Sequence, residues 1–201
     1  NDNYIAQLIR NDLIDDFIPY ITRFNISLSS KIKESIFESN SFLLKKEPTL
    51  IEYAAFYGSI QIFQYLKLNN VELPSSLWLY TIHGRNPEII HLLEENDVKP
   101  DDESFKECFI FSIKCHHNEL SNYIKDSLMP LNESDEIDFI LSSCLQNFNF
   151  ISIPESFNNN TFLYYACKFN HFNIVDILLI DQNIDVNILV ILKYFFFMKL
   201  Y

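Results

Sequence analysis

One stretch of this chain occurs twice, and the second occurrence keeps the register of the first. Residues 49–71 read TLIEYAAFYGSIQIFQYLKLNNV, and residues 161–184 read TFLYYACKFNHFNIVDILLIDQNI. The identical residues pair at one constant offset: Thr49 with Thr161, Ala54 with Ala166, Ile62 with Ile174 and Leu66 with Leu178. Chance similarity of composition does not hold register over this length. The chain is therefore an array of repeated units, and each unit needs its neighbours to bury its apolar face.

The repeated unit predicts a pair of short helices. Apolar residues recur at helical spacing before Gly58, at Leu50, Ile51, Tyr53, Ala54 and Ala55, and after it, at Ile62, Phe63, Tyr65 and Leu66. Thr49 and Glu52 have the spacing of a capping box, in which the hydroxyl and the carboxylate satisfy free amides at a helix start. Ala54 and Ala55 are small, which predicts a close crossing of two helices.

Three further copies follow the same pattern. Residues 76–98, SLWLYTIHGRNPEIIHLLEENDV, place Thr81 at the position of Ala54. Pro87 then falls near the start of the second helix, where its missing amide proton costs little. Residues 107–124, ECFIFSIKCHHNELSNYI, place Ser112 at the small position. Residues 139–153, FILSSCLQNFNFISI, with Ser142 and Ser143, are interpreted as a decayed copy.

These copies predict one repeat domain over residues 1–201. Its parts are divergent N-terminal helices acting as a cap at 1–48, repeats at 49–75, 76–106, 107–130 and 161–187, a degenerate repeat at 131–160, and the start of a truncated repeat at 188–201. Residues 5–21 predict the helix pair of the cap. Residues 187–201, NILVILKYFFFMKLY, are apolar but shorter than the about 20 residues that span a bilayer. We expect this end to pair with a further repeat or a second chain, or to contact a membrane surface.

Composition narrows the class of function. The formal net charge of -12 argues against nucleic-acid binding, because phosphate contacts need clustered Lys and Arg. Only 2 glycines in 201 residues leave little material for phosphate-binding loops. The 4 cysteines show no paired spacing, which predicts reduced thiols and a cytoplasmic protein.

Taken together, the copies resemble the ankyrin-repeat family, whose pattern runs T-P-L-H-L-A-A-x-x-G-H-x-E-I-V-x-L-L with a later G-A-D-V-N. Residues 49–66 keep the threonine, the alanine pair, the glycine and the final apolar run. Residues 161–179 keep the threonine, one alanine, His171 and the final apolar run, and Asp185-Val186-Asn187 matches the loop ending. The usual proline is absent, with Leu50, Leu77 and Phe162 at its position.

The composition, which is rich in Asn and Phe and poor in glycine, resembles most the divergent ankyrin-like domains of protists, many of which have no known function. The resemblance implies an all-α fold, an ankyrin-type solenoid of stacked short antiparallel helix pairs joined by short loops. It also implies that the chain is a non-enzymatic module that binds a partner protein in a concave groove. An acidic surface favours a basic partner.

The resemblance also implies where that groove lies. In ankyrin proteins the two variable positions after the alanine pair usually face it. The matching residues here are Phe56, Tyr57, His83, Gly84, Lys114, Cys115, Lys168 and Phe169. Aromatic residues are favoured anchors in protein interfaces. In a chain with 19 phenylalanines, the alternative is that these aromatic side chains extend the core.

One cluster, Cys108, Cys115, His116 and His117, has the residue types of a metal site. Its spacing does not match structural zinc motifs such as C-x2-C, and adjacent histidines on a turn point in different directions. The acidic runs at 100–104 and 132–138 lack the frame of a calcium loop. We expect no metal and no cofactor, and we expect Trp78 in the core because the matched residues are apolar.

The sequence therefore predicts a protein-interaction module rather than an enzyme. Two alternatives remain at this point. The chain could be a structural segment of a longer repeat protein with no partner of its own, or a metal-dependent hydrolase that uses the Cys/His cluster.

Overall fold

Short α-helices joined by tight turns make up the fold. The computed structural model describes residues 2–33, 40–43, 46–129, 133–155 and 157–180. The helices are α1 (Asp2–Arg10), α2 (Ile14–Arg23), α3 (Leu50–Tyr57), α4 (Ile60–Leu68), α5 (Leu77–Gly84), α6 (Pro87–Glu95), α7 (Lys106–Lys114), α8 (Asn118–Tyr123), α9 (Glu133–Gln146), α10 (Asn159–Lys168) and α11 (Phe172–Leu179). In these ranges the only extended pairing is an isolated bridge between Lys31 and Thr49. The predicted all-α fold is confirmed.

Some predicted features lie outside the described residues. They are the loop Asp185-Val186-Asn187, the apolar end at 188–201, and positions 130–132 and 156 around the decayed copy. The repeat boundaries proposed above remain predictions.

The helix starts follow the capping signals of the sequence. The Thr49 hydroxyl accepts a hydrogen bond from the Glu52 amide at 3.4 Å, and the Glu52 carboxylate accepts one from the Thr49 amide at 2.8 Å. This is the predicted capping box. Asn86 caps α6 by accepting from the Glu88 amide at 2.9 Å, and Pro87 occupies the first turn. Both predicted helix starts are confirmed.

A left-handed residue ends the first helix of each copy, although only one of these residues is a glycine. The residues are Asp12, Gly58, Arg85, His116, Phe148 and Asn170. After Asp12, Gly58, Phe148 and Asn170, the backbone amide of the next residue bonds back to the helix, as in Ser59 to the Ala54 carbonyl at 2.9 Å. Asn149 bonds to Cys144 in the same way, also at 2.9 Å. In the decayed copy, Cys144 therefore occupies the small position, one residue after Ser143.

Helix contacts divide the chain into two compact units, residues 1–112 and residues 113–201. In the first unit α1, α3 and α5 pack in chain order, and their partners α2, α4 and α6 contact one another in the same order. Three antiparallel helix pairs are thus stacked side by side, as the repeat pattern predicts. Ile9, Phe17, Ile62 and Phe63 have no exposed surface and form part of the shared core.

Both glycines of the chain lie at the crossing of α3 and α5. A Cβ atom on Gly84 would sit 2.1 Å from the Ala55 carbonyl oxygen and 3.0 Å from the Gly58 nitrogen. Gly58 has φ +68°, and a Cβ there would lie 3.0 Å from the Gly84 carbonyl oxygen. The backbones of the two helices approach closely because neither position carries a side chain. The close crossing predicted from Ala54 and Ala55 is confirmed.

At several of these turns, the side chain of the next residue also links one helix pair to the preceding one. In the first unit, the side-chain nitrogen Nδ2 of Asn86 donates to the Gly58 carbonyl at 2.9 Å. In the second unit, Asn149 donates to the Ile113 carbonyl at 3.1 Å, and Nε2 of His171 lies 2.6 Å from the Leu145 carbonyl. Asn149 and His171 are buried, so these bonds satisfy polar groups away from water.

Among its described residues, the second unit contains α8, one complete helix pair and one shortened pair. Helices α10 and α11 pack together, and α10 also contacts α9. After α9 the chain forms only a 3-10 turn at Phe150–Ser152 in place of a second helix. Ile153 is extended and precedes Pro154, and a residue before proline avoids the helical region. The proline therefore stops the second helix of the decayed copy.

Candidate functional site

Phe56, the first predicted groove residue, is largely buried. Only 8% of its surface is exposed, and its ring lies parallel to that of Phe42 with centroids 6.0 Å apart. The His83 ring is 4.6 Å away. Phe56 therefore supports neighbouring rings more than it offers surface of its own.

Tyr57 is half-buried, and its ring lies beneath the guanidinium group of Arg10. Its centroid lies 4.9 Å from that of Tyr53 and 5.3 Å from Cζ of Arg10. Nε of Arg10 donates to the Tyr53 hydroxyl at 2.7 Å, which fixes the cation above both tyrosines. A cation held over an aromatic face is an arrangement that protein interfaces use.

His83 and Gly84 follow each other at the end of α5 but have different roles. The half-buried His83 ring lies 4.8 Å from Phe42 and 5.0 Å from Phe111, centroid to centroid. Gly84 supplies no side chain, and its role is the close approach to α3 described above. Of these two positions, His83 is the one that can contact a partner through its side chain.

An aromatic cluster thus forms at the ends of three first helices. We define it as the rings of Phe42, Phe56, Tyr80, His83 and Phe111. Tyr80 is buried, and burial, with the charge of Glu52, raises the pKa of its hydroxyl. Nζ of Lys46 lies 4.2 Å from the Phe42 centroid and 5.5 Å from that of Tyr80. Phe42, Tyr80, Phe111 and Lys46 were not among the predicted site residues.

In the second unit, the predicted residues of α10 form a smaller group. Phe169 is stacked on Tyr165, with centroids 6.2 Å apart and planes at 9°. Nζ of the exposed Lys168 lies 5.4 Å from the Phe169 centroid and 5.5 Å from that of Tyr165. Lys114 is exposed and Cys115 is half-buried at the end of α7.

The cysteines do not have the properties of a nucleophile. The structure describes all four of them, and none forms a disulfide bond. Burial raises the pKa of Cys108 and of Cys144 to about 12, with Asp102 and Glu107 adding to the effect at Cys108. Burial also raises the pKa of Cys115 and Cys167. Over the described ranges, no group of three or more His, Cys, Asp or Glu side chains could hold a metal ion.

These pKa shifts predict the order of thiol alkylation. At pH 8 we expect iodoacetamide to modify the half-buried Cys115 first, and to reach buried Cys108 and Cys144 only after unfolding, because the thiolate is the reacting form. Peptide mass spectrometry over time measures the order, and the same reaction in urea is the control. Faster modification of native Cys108 than of Cys115 would contradict it.

The same shifts predict a loss of stability in alkali. The folded pKa of Cys108 and Cys144 is about 12, above the ordinary value of 9.0, so the folded state retains protons that the unfolded state releases. The stability that the two protonated thiols contribute to the folded state is fully present below pH 9.0 and is lost as pH rises towards about 12. Urea unfolding gives the free energy of unfolding at pH 8 and at pH 10. We expect this free energy to fall less between the two pH values in Cys108→Ala than in the unmodified chain.

Comparison with known proteins identifies one part of the chain. Residues 158–188 match the family model of the ankyrin repeat. Neither a curated protein nor a solved structure matches the chain. The match covers α10 and α11, the copy that begins at Thr161, and the resemblance to ankyrin repeats is confirmed. No helix among the described residues is long and apolar enough to cross a membrane.

Proposed function

We propose that this chain, with its ankyrin repeat at residues 158–188, is a non-enzymatic module that binds a partner protein at the ends of its first helices. The ankyrin repeat is typically an interaction domain rather than an enzyme. The observation that carries the proposal is the surface of the first unit, where half-buried Tyr57 lies beneath Arg10. Half-buried His83 adjoins this surface through Phe56, because both its ring and that of Tyr57 contact the Phe56 ring. Tyrosine and arginine are prominent among the residues that dominate binding energy in interfaces.

The net charge supports a basic partner. At -12, the chain attracts segments rich in Lys and Arg and speeds their association at low ionic strength. We therefore expect the association rate to fall as salt is added. The free thiols support a reducing compartment, and we propose the cytoplasm.

Site-specific photo-cross-linking tests the binding surface. Position 57 is given p-benzoylphenylalanine, which keeps an aromatic ring, and the protein is irradiated in a lysate of its source cells. Phe24 is the matched control position, because it is 56% exposed and lies beneath Arg23, with Cζ 5.5 Å from its centroid, as Tyr57 lies beneath Arg10.

We expect a discrete protein adduct from position 57 and none from position 24, and mass spectrometry then identifies the adduct. A Tyr57→Ala variant should compete poorly with the cross-linking protein, whereas Phe24→Ala should compete as well as the unmodified chain. Equal adducts from both positions, or none from position 57, would show that this surface is not the binding site.

A further inference from the structure

Phe42 comes from outside the helix pairs and occupies the surface at the ends of the first helices. The loop that carries it is closed at its base, where the Ile32 amide donates to the Pro48 carbonyl at 2.7 Å and the Leu50 amide donates to the Ser30 carbonyl at 3.1 Å. Beyond this base the chain reaches Phe42, whose ring contacts rings from three successive first helices.

The contacts of Phe42 are those of a ligand in an aromatic pocket. Its ring is parallel to Phe56 at 6.0 Å, perpendicular to Tyr80 at 5.0 Å, and 4.8 Å from His83 and 5.3 Å from Phe111, all between centroids. The walls come from the repeats, whereas Phe42 itself comes from the chain before them. Phe42 is half-buried, and its neighbour Leu43 is 3% exposed and anchors the loop independently.

A cation accompanies the aromatic side chain. Lys46 follows Phe42 by four positions, and its Nζ faces both the Phe42 ring and the Tyr80 ring, at 4.2 and 5.5 Å from the centroids. The Glu52 carboxylate accepts a hydrogen bond from the Ser76 hydroxyl at 2.6 Å, at the start of the helix that carries Tyr80, and burial and this charge together raise the pKa of Tyr80. This end of the pocket therefore favours a positive charge.

We propose that the aromatic cluster is a docking pocket for a partner segment that presents an aromatic side chain followed four residues later by Lys or Arg, and that Phe42 and Lys46 are the internal occupant that this segment displaces. The proposal rests on the proposed function and adds the chemistry of the partner. The occupant already present indicates what fits: a ring of the size of phenylalanine, inserted among Phe56, Tyr80, His83 and Phe111, with a cation beside it.

A peptide titration tests the proposal with the chain's own segment as the probe. The fluorescein-labelled peptide NSFLLKKEP, residues 40–48, is titrated with the full chain, with Phe42→Ala and with Phe24→Ala, and fluorescence anisotropy measures binding. Circular dichroism checks folding of each variant. Two further peptides carry alanine in place of the phenylalanine or of the lysine that corresponds to Lys46.

We expect Phe42→Ala to bind the peptide at least about tenfold more tightly than the unmodified chain or Phe24→Ala, because a tethered occupant competes at an effective concentration in the millimolar range. The peptide without phenylalanine should bind Phe42→Ala at least about tenfold more weakly, since buried aromatic anchors dominate such contacts. Loss of the lysine should weaken binding by a smaller factor, and size-exclusion chromatography with light scattering should give a monomer.

Several results would overturn the proposal. Phe42→Ala could fold yet bind neither peptide, or bind the peptides with and without phenylalanine equally. If Phe42→Ala is unfolded, Phe42→Leu takes its place in the titration, and an unfolded Phe42→Leu would make Phe42 a core residue rather than an occupant. A dimer that exchanges residues 40–48 would make the chain its own partner. None of these results bears on the cross-link from position 57, which tests the proposed function separately.

Discussion

Gly84→Ala is expected to lower the free energy of unfolding of the first unit by about 3 kcal/mol or more, at the upper end of the cost of overpacking a core. The added Cβ would lie 2.1 Å from the Ala55 carbonyl oxygen and 3.0 Å from the Gly58 nitrogen. These are backbone atoms, so no side-chain rotation can relieve the contact. Helix α5 must move away from α3, and the packing between them is lost.

Arg85→Gly is the matched control for this substitution. Arg85 has φ 51°, a left-handed conformation that glycine adopts without steric cost. We expect this neighbouring change to leave stability within about 1 kcal/mol of the unmodified chain. Urea unfolding followed by circular dichroism measures both variants. A Gly84→Ala protein as stable as Arg85→Gly would show that α3 and α5 do not cross as closely as described.

Trp78→Ala is expected to lower the free energy of unfolding by about 3–5 kcal/mol, as the truncation of other large buried aromatic side chains does. Trp78 is 1% exposed, its ring meets Phe105 edge to face at 4.9 Å, and its Nε1 donates to the Val98 carbonyl at 2.7 Å. The substitution leaves a cavity and an unpaired carbonyl. The core position predicted for Trp78 from its apolar matches is confirmed.

Trp78→Phe separates the two contributions. Phenylalanine retains a ring in the core but cannot donate a hydrogen bond to the Val98 carbonyl. We therefore expect Trp78→Phe to lower the free energy of unfolding by less than Trp78→Ala does. Thermal and urea unfolding by circular dichroism compare the variants, because Trp78 is the chain's only tryptophan and its fluorescence is lost in both. If alanine and phenylalanine are equally well tolerated, Trp78 does not contribute to the core as described.

The helix pairs could be predicted because local signals and burial agree in each copy. Thr49, Glu52 and Pro87 mark helix starts by their own chemistry, and the apolar spacing marks the buried face. The turns were harder to predict, because Arg85 and Phe148 adopt left-handed conformations that their side chains disfavour. We attribute these conformations to the packing of neighbouring helix pairs. The sequence of one repeat, considered without its neighbours, does not indicate them.

The site was only partly predictable, for a similar reason. The family pattern pointed to Phe56 and His83, but the pattern does not include residues before the first repeat, so it could not find Phe42. A signal for the cluster was present in the sequence: an aromatic residue directly precedes the small residue in four copies, at Tyr53, Tyr80, Phe111 and Tyr165. Tyr80 and Phe111 belong to the cluster.

Hydrogen exchange of the chain, with and without the protein captured through position 57, tests recognition at the ends of the first helices most directly. We expect the captured partner to slow amide exchange at residues 56–59 and 82–86, where α3 and α5 end and turn, while α4 and α6 exchange as before. Protection confined to α4 and α6, with residues 56–59 and 82–86 unchanged, would contradict the proposed binding surface.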